Sequence, residues 1–353
     1  MSSLAATAPG SSRQLLPPAR VFVSRPFDYL TIGGGLSLLV GVALALSGQL
    51  GADTPAAAWI PFLVLVSNSA HFAASTVRLY TKPGAFRLWP FLSMGLPLAT
   101  LAVLGVALLW PERIGWHLQA LYLTWSPFHY AAQAFGLACM YHYRSGGTLG
   151  ELDRRLVFGT CMLPFVFAFL DAREAGLAWL LPAQLLAGQP LLEQLVRTLG
   201  GWVALLVFVT PLLLAARLYA SSGRGLPAIS WLIIVTNGIW WIVFRFYDAF
   251  IWATVFHGLQ YLAIVTIFHV KDQVARPGNR RGPLAHAMLF YAASLGLGYL
   301  LFYVWPFAYR LAGFGLAESM LLCAAVINIH HFIVDRYIWR LRKDTNYRVV
   351  TEG

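Results

Sequence analysis

Charge is what this chain has least of. Only 11% of its 353 residues are Asp, Glu, Lys or Arg, whereas 59% are hydrophobic and the mean hydropathy is +0.66. Soluble domains carry roughly 25% charged residues, so a water-exposed globular surface is excluded over most of the length. Cysteine is scarce too. Cys139, Cys161 and Cys323 all fall in apolar segments and none belongs to a CxxC pair. That argues against a disulfide framework and a thiolate zinc site, and leaves three small hydrophobes suited to packing. HExxH, HxxxH and HxxHH boxes are absent. Gly33-Gly-Gly35 follows no strand pattern, so it reads as a close helix contact and not as a nucleotide loop.

What the chain does have is long apolar runs. Windows of about 20 residues bounded by charge, Pro or Gly predict spans over 29–50, 57–80, 88–110, 114–143, 156–181 and 195–220. The run 227–269 is too long for one span, and Arg245 with Asp248 divides it into a seventh and an eighth. The ninth covers 283–305 and the tenth 316–340. The fifth is interrupted at Asp171, Arg173 and Glu174. With ten spans, one face carries twenty Lys and Arg, including Arg78, Arg144, Lys271 and Arg340, and the other only five. This positive-inside bias predicts cytoplasmic termini and accounts for the net charge of +11 without a nucleic-acid partner. The expected fold is all-α: a multi-pass protein of the bacterial inner (cytoplasmic) membrane with about ten transmembrane helices. Residues 1–27 form a flexible cytoplasmic arm, 28–342 the helical domain and 343–353 a cytoplasmic tail.

The stretch Asn328-Ile-His-His-Phe-Ile-Val-Asp335 carries the chemistry. At about 100° per residue, His331 and Asp335 share a helix face, Asn328 lies close by, and His330 points toward the same side. Counting 1.5 Å per residue from the nearest cytoplasmic charge puts His71 roughly 10 Å deep, His330 and His331 roughly 14 Å, and His129 and His257 roughly 20 Å. His142, His269 and His286 fall at the cytoplasmic rim, and His117 near the outer edge. One intramembrane histidine is more often a hydrogen-bonded packing residue than a ligand. Five on four spans at overlapping depths point to a shared site.

Each deep histidine has polar company at helical spacing. Gln133 lies one turn from His129, Gln260 and Tyr261 share a face with His257, and Asn68 precedes His71 by three. Such oxygens accept the second N–H of a ligating imidazole. Imidazoles with one carboxylate suit iron, zinc, copper or manganese and not magnesium or calcium. The expected metal ligands are therefore His71, His129, His257, His330 and His331. Asp335 is a ligand or an orienter of His331, and Gln133, Gln260, Tyr261 and Asn328 support them. Non-haem iron, oxidising a lipid or isoprenoid with the help of an electron donor, leads these readings. Zinc hydrolysis of a lipid head group, a haem-b electron carrier and a proton-coupled transporter stand as alternatives.

The segments Trp125-Ser-Pro-Phe-His-Tyr130 with Gln133, His257-Gly-Leu-Gln-Tyr-Leu262 and Asn328–Trp339 resemble motifs of histidine-rich polytopic bacterial membrane proteins. More distantly, histidines scattered over many spans are similar to the Brp/Blh-type membrane carotenoid dioxygenases. That resemblance implies non-haem iron and cleavage of a polyene.

Overall fold

The computed structural model describes residues 14–47, 58–172, 175–181 and 189–338. Among them there is no β-strand, only an isolated bridge between Gln14 and Arg224. The tail 343–353 and Arg340 lie outside the described residues.

Seven helices are long and apolar enough to cross a membrane, or eight if a bent pair makes one span. The pair is α1 (Arg25–Ile32) and α2 (Gly35–Leu46), bent by 64° at the glycine triplet. A side chain on Gly34 is ruled out twice over. Its φ is +81°, and a Cβ would come within 2.6 Å of Thr236 Oγ1. The triplet is thus both the bend and a point of close helix contact.

The remaining helices are α3 (Ile60–Thr81), α4 (Phe91–Leu109), α5 (Trp116–Arg144), α6 (Glu151–Asp171), α7 (Pro190–Ser222), α8 (Ala228–Phe246), α9 (Ala249–Val274), α10 (Pro283–Leu311) and α11 (Leu316–Tyr337). Local chemistry sets several of their ends. Proline at the first turn starts α7 and α10, where a missing N–H is harmless. Gly223 closes α7 with a left-handed φ of 67°. Asp248 stands at the division expected from the charges. It is the one described non-glycine residue with positive φ (73°), and its carboxylate accepts the Ile251 amide at 3.3 Å, capping α9.

Burial separates centre from periphery. The apolar window of α9 is 72% buried, whereas those of α7 and α10 are 17% buried. α3 packs on α9, α10 and α11, while α11 also packs on α4 and α5, and α8 joins α5, α6 and α9. α3, α5, α9 and α11 therefore surround a common interior, with α7 outside against α6. Two hydrophobic clusters border this interior. Phe72, Leu104, Val326 and Phe332 form one, and Tyr130, Trp240, Phe244 and Phe256 the other.

The expected flexible arm behaves differently from Gln14 onward. Phe22 packs beside Tyr141 and Phe268, and the Arg144 guanidinium lies over its ring at 4.4 Å. Buried Asp28 accepts the Phe22 amide at 2.6 Å, the Val23 amide at 3.1 Å and the Tyr141 hydroxyl at 2.7 Å. An Ala-, Ser- and Pro-rich composition suggests freedom, but one carboxylate and one aromatic ring are enough to strap this segment to the bundle.

Candidate functional site

The interior between α3, α5, α9 and α11 holds four imidazoles. His71 comes from α3, His129 from α5, His257 from α9 and His331 from α11. Ring centroids are 4.8 Å apart for His71 and His257, 5.1 Å for His257 and His129, 5.2 Å for His129 and His331, and 4.3 Å for His331 and His71. The four rings form a closed quadrilateral, each meeting its neighbour edge to face at 75–83°. Three are inaccessible to solvent, His71 and His257 at 0% and His331 at 1%.

Helix packing explains how rings from separate helices come so close. Just before His71, α3 passes through a π-helical turn, Leu65–Ser69, a distortion frequent at functional sites. Two glycines press on this turn from opposite neighbours. A Cβ on Gly258 of α9 would sit 3.0 Å from Ser67 backbone atoms, and one on Gly298 of α10 would sit 2.6 Å from the Ser69 carbonyl oxygen. Small residues at helix contacts let backbones approach, and here they bring His257 against His71.

Six ring nitrogens in this cluster are buried without a hydrogen-bond partner: both of His71, both of His257, Nε2 of His129 and Nε2 of His331. Each unsatisfied buried polar group costs on the order of 1–3 kcal/mol. Each neutral imidazole has one N–H and one lone pair, so the four rings place up to four lone pairs where an ion can use them. Two overlapping groups have metal-ligand geometry, His71–His129–His257 and His129–His331–Asp335, with donor atoms all within 4.8 Å of one another. Ligand bonds of about 2.1 Å span roughly 4.2 Å across an ion, so small side-chain rotations suffice to close either group.

The carboxylate is held from outside the cluster. Tyr261 donates to Asp335 Oδ1 at 2.6 Å, while Oδ2 faces His331 Nε2 at 3.4 Å and His129 Nε2 at 3.8 Å. His331 Nδ1 lies 2.9 Å from Ser75 Oγ, which fixes the ring with Nε2 toward the other donors. The Tyr130 ring stacks on His257 at 4.0 Å and 22°, and its hydroxyl meets Thr254 at 2.9 Å.

Comparison with family models, with characterised proteins and with solved structures found no match. The reading of this site rests on its own geometry.

Of the expected site residues, His71, His129, His257, His331, Asp335 and Tyr261 come together. His330 does not. It stands one residue, about 100° of helix, from His331, and that turn takes it out of both groups. It lines a separate cavity beside Phe72. Gln133 and Gln260 are displaced from their expected role as well. Gln133 donates to Gln260 Oε1 at 3.0 Å, and Gln260 donates onward to the Ile32 carbonyl. They link α5, α9 and α1 and do not orient imidazoles, because the Ile32 carbonyl at the bend of α1 needs a donor. Asn68 is not bonded to His71. Its Oδ1, like both His71 nitrogens, is buried without a hydrogen bond. Asn328 Nδ2 caps the Ala324 carbonyl within its own helix. Ser75, Tyr130 and Phe72 escaped the sequence reading. Ser75 had a signal, since it lies one turn from His71 at i+4, but a serine in a small-residue run reads as packing.

Proposed function

We propose that this chain is a membrane-embedded metalloprotein whose histidine ring and Asp335 bind non-haem iron for oxygenation of a lipophilic substrate. The observation that carries the reading is the set of six buried ring nitrogens without a hydrogen bond, on four converging helices with Asp335 beside two of them. Two histidines and a carboxylate are the ligand type of iron(II) oxygenases, and His129, His331 and Asp335 supply it. Iron held there supplies the redox chemistry, with dioxygen as oxidant and electrons from a separate donor. The chain's own part is to fix the ligands through Ser75 and Tyr261 and to keep water out with Phe72, Tyr130 and Phe332. Zinc fits the donors second best. Haem fits poorly, because rings 4.3–5.2 Å apart leave no slot for a porphyrin between them.

The membrane topology belongs to the same proposal. Counting the bent pair as one span and adding α5 and α6 to the seven apolar helices gives ten crossings, an even number that puts both termini on the Lys- and Arg-rich side. On this reading the chain resides in the cytoplasmic membrane, and α5 is less hydropathic because it carries His129, Gln133 and His142.

Elemental analysis and absorption of the purified protein test this directly. Iron near one or two equivalents without a Soret band is the expected result. His331→Ala and His257→Ala should lower bound metal by about 10-fold or more, and His117→Ala, whose ring bonds Trp179 at the far end of α5, should not. Equal metal in all three variants rejects the assignment.

A further inference from the structure

Beside the histidine ring lies a second space that the proposed metal chemistry does not use. It is a cavity of about 300 Å³ between α3, α4, α10 and α11, lined by Phe72, Thr76, Leu101, Leu297, Ile327 and His330 among others. Its wall is overwhelmingly apolar. The Thr100 and Tyr80 hydroxyls that border it are spent on backbone carbonyls, on Leu96 and Ser93 respectively. His330 is the imidazole of this lining, which it shares with the Thr76 hydroxyl and the Trp305 indole. Phe72 stands between this space and the imidazoles. Phe72 lines the cavity, and the same ring lies 4.3 Å from the His71 ring and 4.8 Å from the His331 ring. On the opposite side the cavity reaches the outer surface of the bundle at Leu101 and Tyr80, which are 49% and 39% exposed.

From these observations we infer that the cavity is the chain-binding pocket of the substrate, and that His330 is its polar contact and not a ligand of the ring. The pocket takes a single unbranched or methyl-branched hydrocarbon chain of medium length, with an oxygen-bearing substituent against His330. Such a chain arrives sideways from the hydrocarbon, between α4 and α10. This rests on the functional reading above for what happens to the chain, but the binding itself is independent of any metal.

The pocket also explains a puzzle in the sequence. His330 and His331 are adjacent, so a helix must send them in different directions. One serves the buried ring and the other the space behind Phe72. A second ligand at 330 would be wasted, whereas a hydrogen-bonding group in an otherwise apolar pocket provides the orientation that such sites need.

The test is photolabelling of the full-length protein in lipid nanodiscs with a diazirine-bearing ten-carbon alcohol, mapped by mass spectrometry with and without excess decan-1-ol. Labelling that is competed by decanol and falls on the segments holding Thr76, Leu101, Leu297 and Ile327 is expected. Leu301→Trp and Thr76→Trp, which fill the space from two sides, should each lower it by 10-fold or more with bound metal unchanged. His330→Ala should weaken competition by decanol relative to decane and should keep the metal. Labelling that cannot be competed and spreads to outward-facing Leu98 and Leu212, or that neither tryptophan reduces, overturns the pocket. Loss of metal in His330→Ala overturns the assignment of His330. Competed labelling in a protein that holds no metal sustains the pocket while sinking the metalloprotein reading, so the two fail separately.

Discussion

Replacing Gly258 by alanine isolates the contact that assembles the site. The added Cβ would lie 3.0 Å from Ser67 backbone atoms and 3.1 Å from the Asn68 amide, about 0.4 Å inside ordinary contact. Backbone in a packed helix cannot swing aside as a side-chain tip can. α9 and α3 must therefore separate, and His257 is the next residue along. Overpacking of this kind costs about 1–3 kcal/mol, offset by about 1 kcal/mol that alanine gains over glycine in a helix. Gly296→Ala on α10 is the matched control, since nothing lies within 4 Å of a Cβ there. It should be neutral or stabilising by up to about 1 kcal/mol. Thermal or denaturant unfolding of both variants in the same detergent reads the difference, which is the packing contribution alone. Bound metal measured in parallel should drop in Gly258→Ala and hold in Gly296→Ala. Indistinguishable stability and metal content in the two variants would refute the claim that this glycine sets the spacing of the rings.

Ser75→Ala removes the group that fixes His331, and metal affinity by competition titration should fall about 10–100-fold, the range for losing an outer partner of a ligand. Asp335→Asn keeps the shape of the side chain while removing its charge, and should lower affinity by at least about 10-fold; a variant that binds as tightly as the parent removes Asp335 from the site. Tyr261→Phe takes the donor from Asp335 and should weaken the site by less than Asp335→Asn does. Asp28→Ala deletes three hydrogen bonds that strap residues 22–23 to the bundle, costing on the order of 2 kcal/mol or more. Trypsin should then cut at Arg20 and Arg25 several times faster, and unchanged cleavage would mean the strap is held by Phe22 alone.

Much of the helical layout was legible because apolar length and breaking residues carry it. Arg245 and Asp248 marked the α8–α9 division, and the structure turns there at Asp248. The convergence of histidines was readable from depth alone, since four helices that carry a histidine at similar depth can meet through it. Azimuth was harder. A helix pattern places His330 within reach of His331's side, but only the packing of α11 between α3 and α4 determines which imidazole faces the interior. The partners were least legible. Proximity along one helix suggested Asn68, Gln133 and Gln260, whereas the hydrogen bonds that form run between helices: Ser75 to His331, Tyr261 to Asp335, and Gln133 to Gln260. Residues three or four apart on one helix share a face, but a side chain bonds whatever backbone or ring the neighbouring helix brings to it.

The joint at Asp248 has a mechanical consequence. A single left-handed residue connects α8 to α9 and also caps α9, so these two helices cannot slide past each other without unwinding it. His257 is therefore tied through this joint to α8, which itself packs on α5 and α6. On the other side, the loop 275–282 is tied to α3 by Arg276, which donates to the Thr81 carbonyl at 2.7 Å. Any change in the spacing of His257 and His71 would therefore have to carry α8 along with α9.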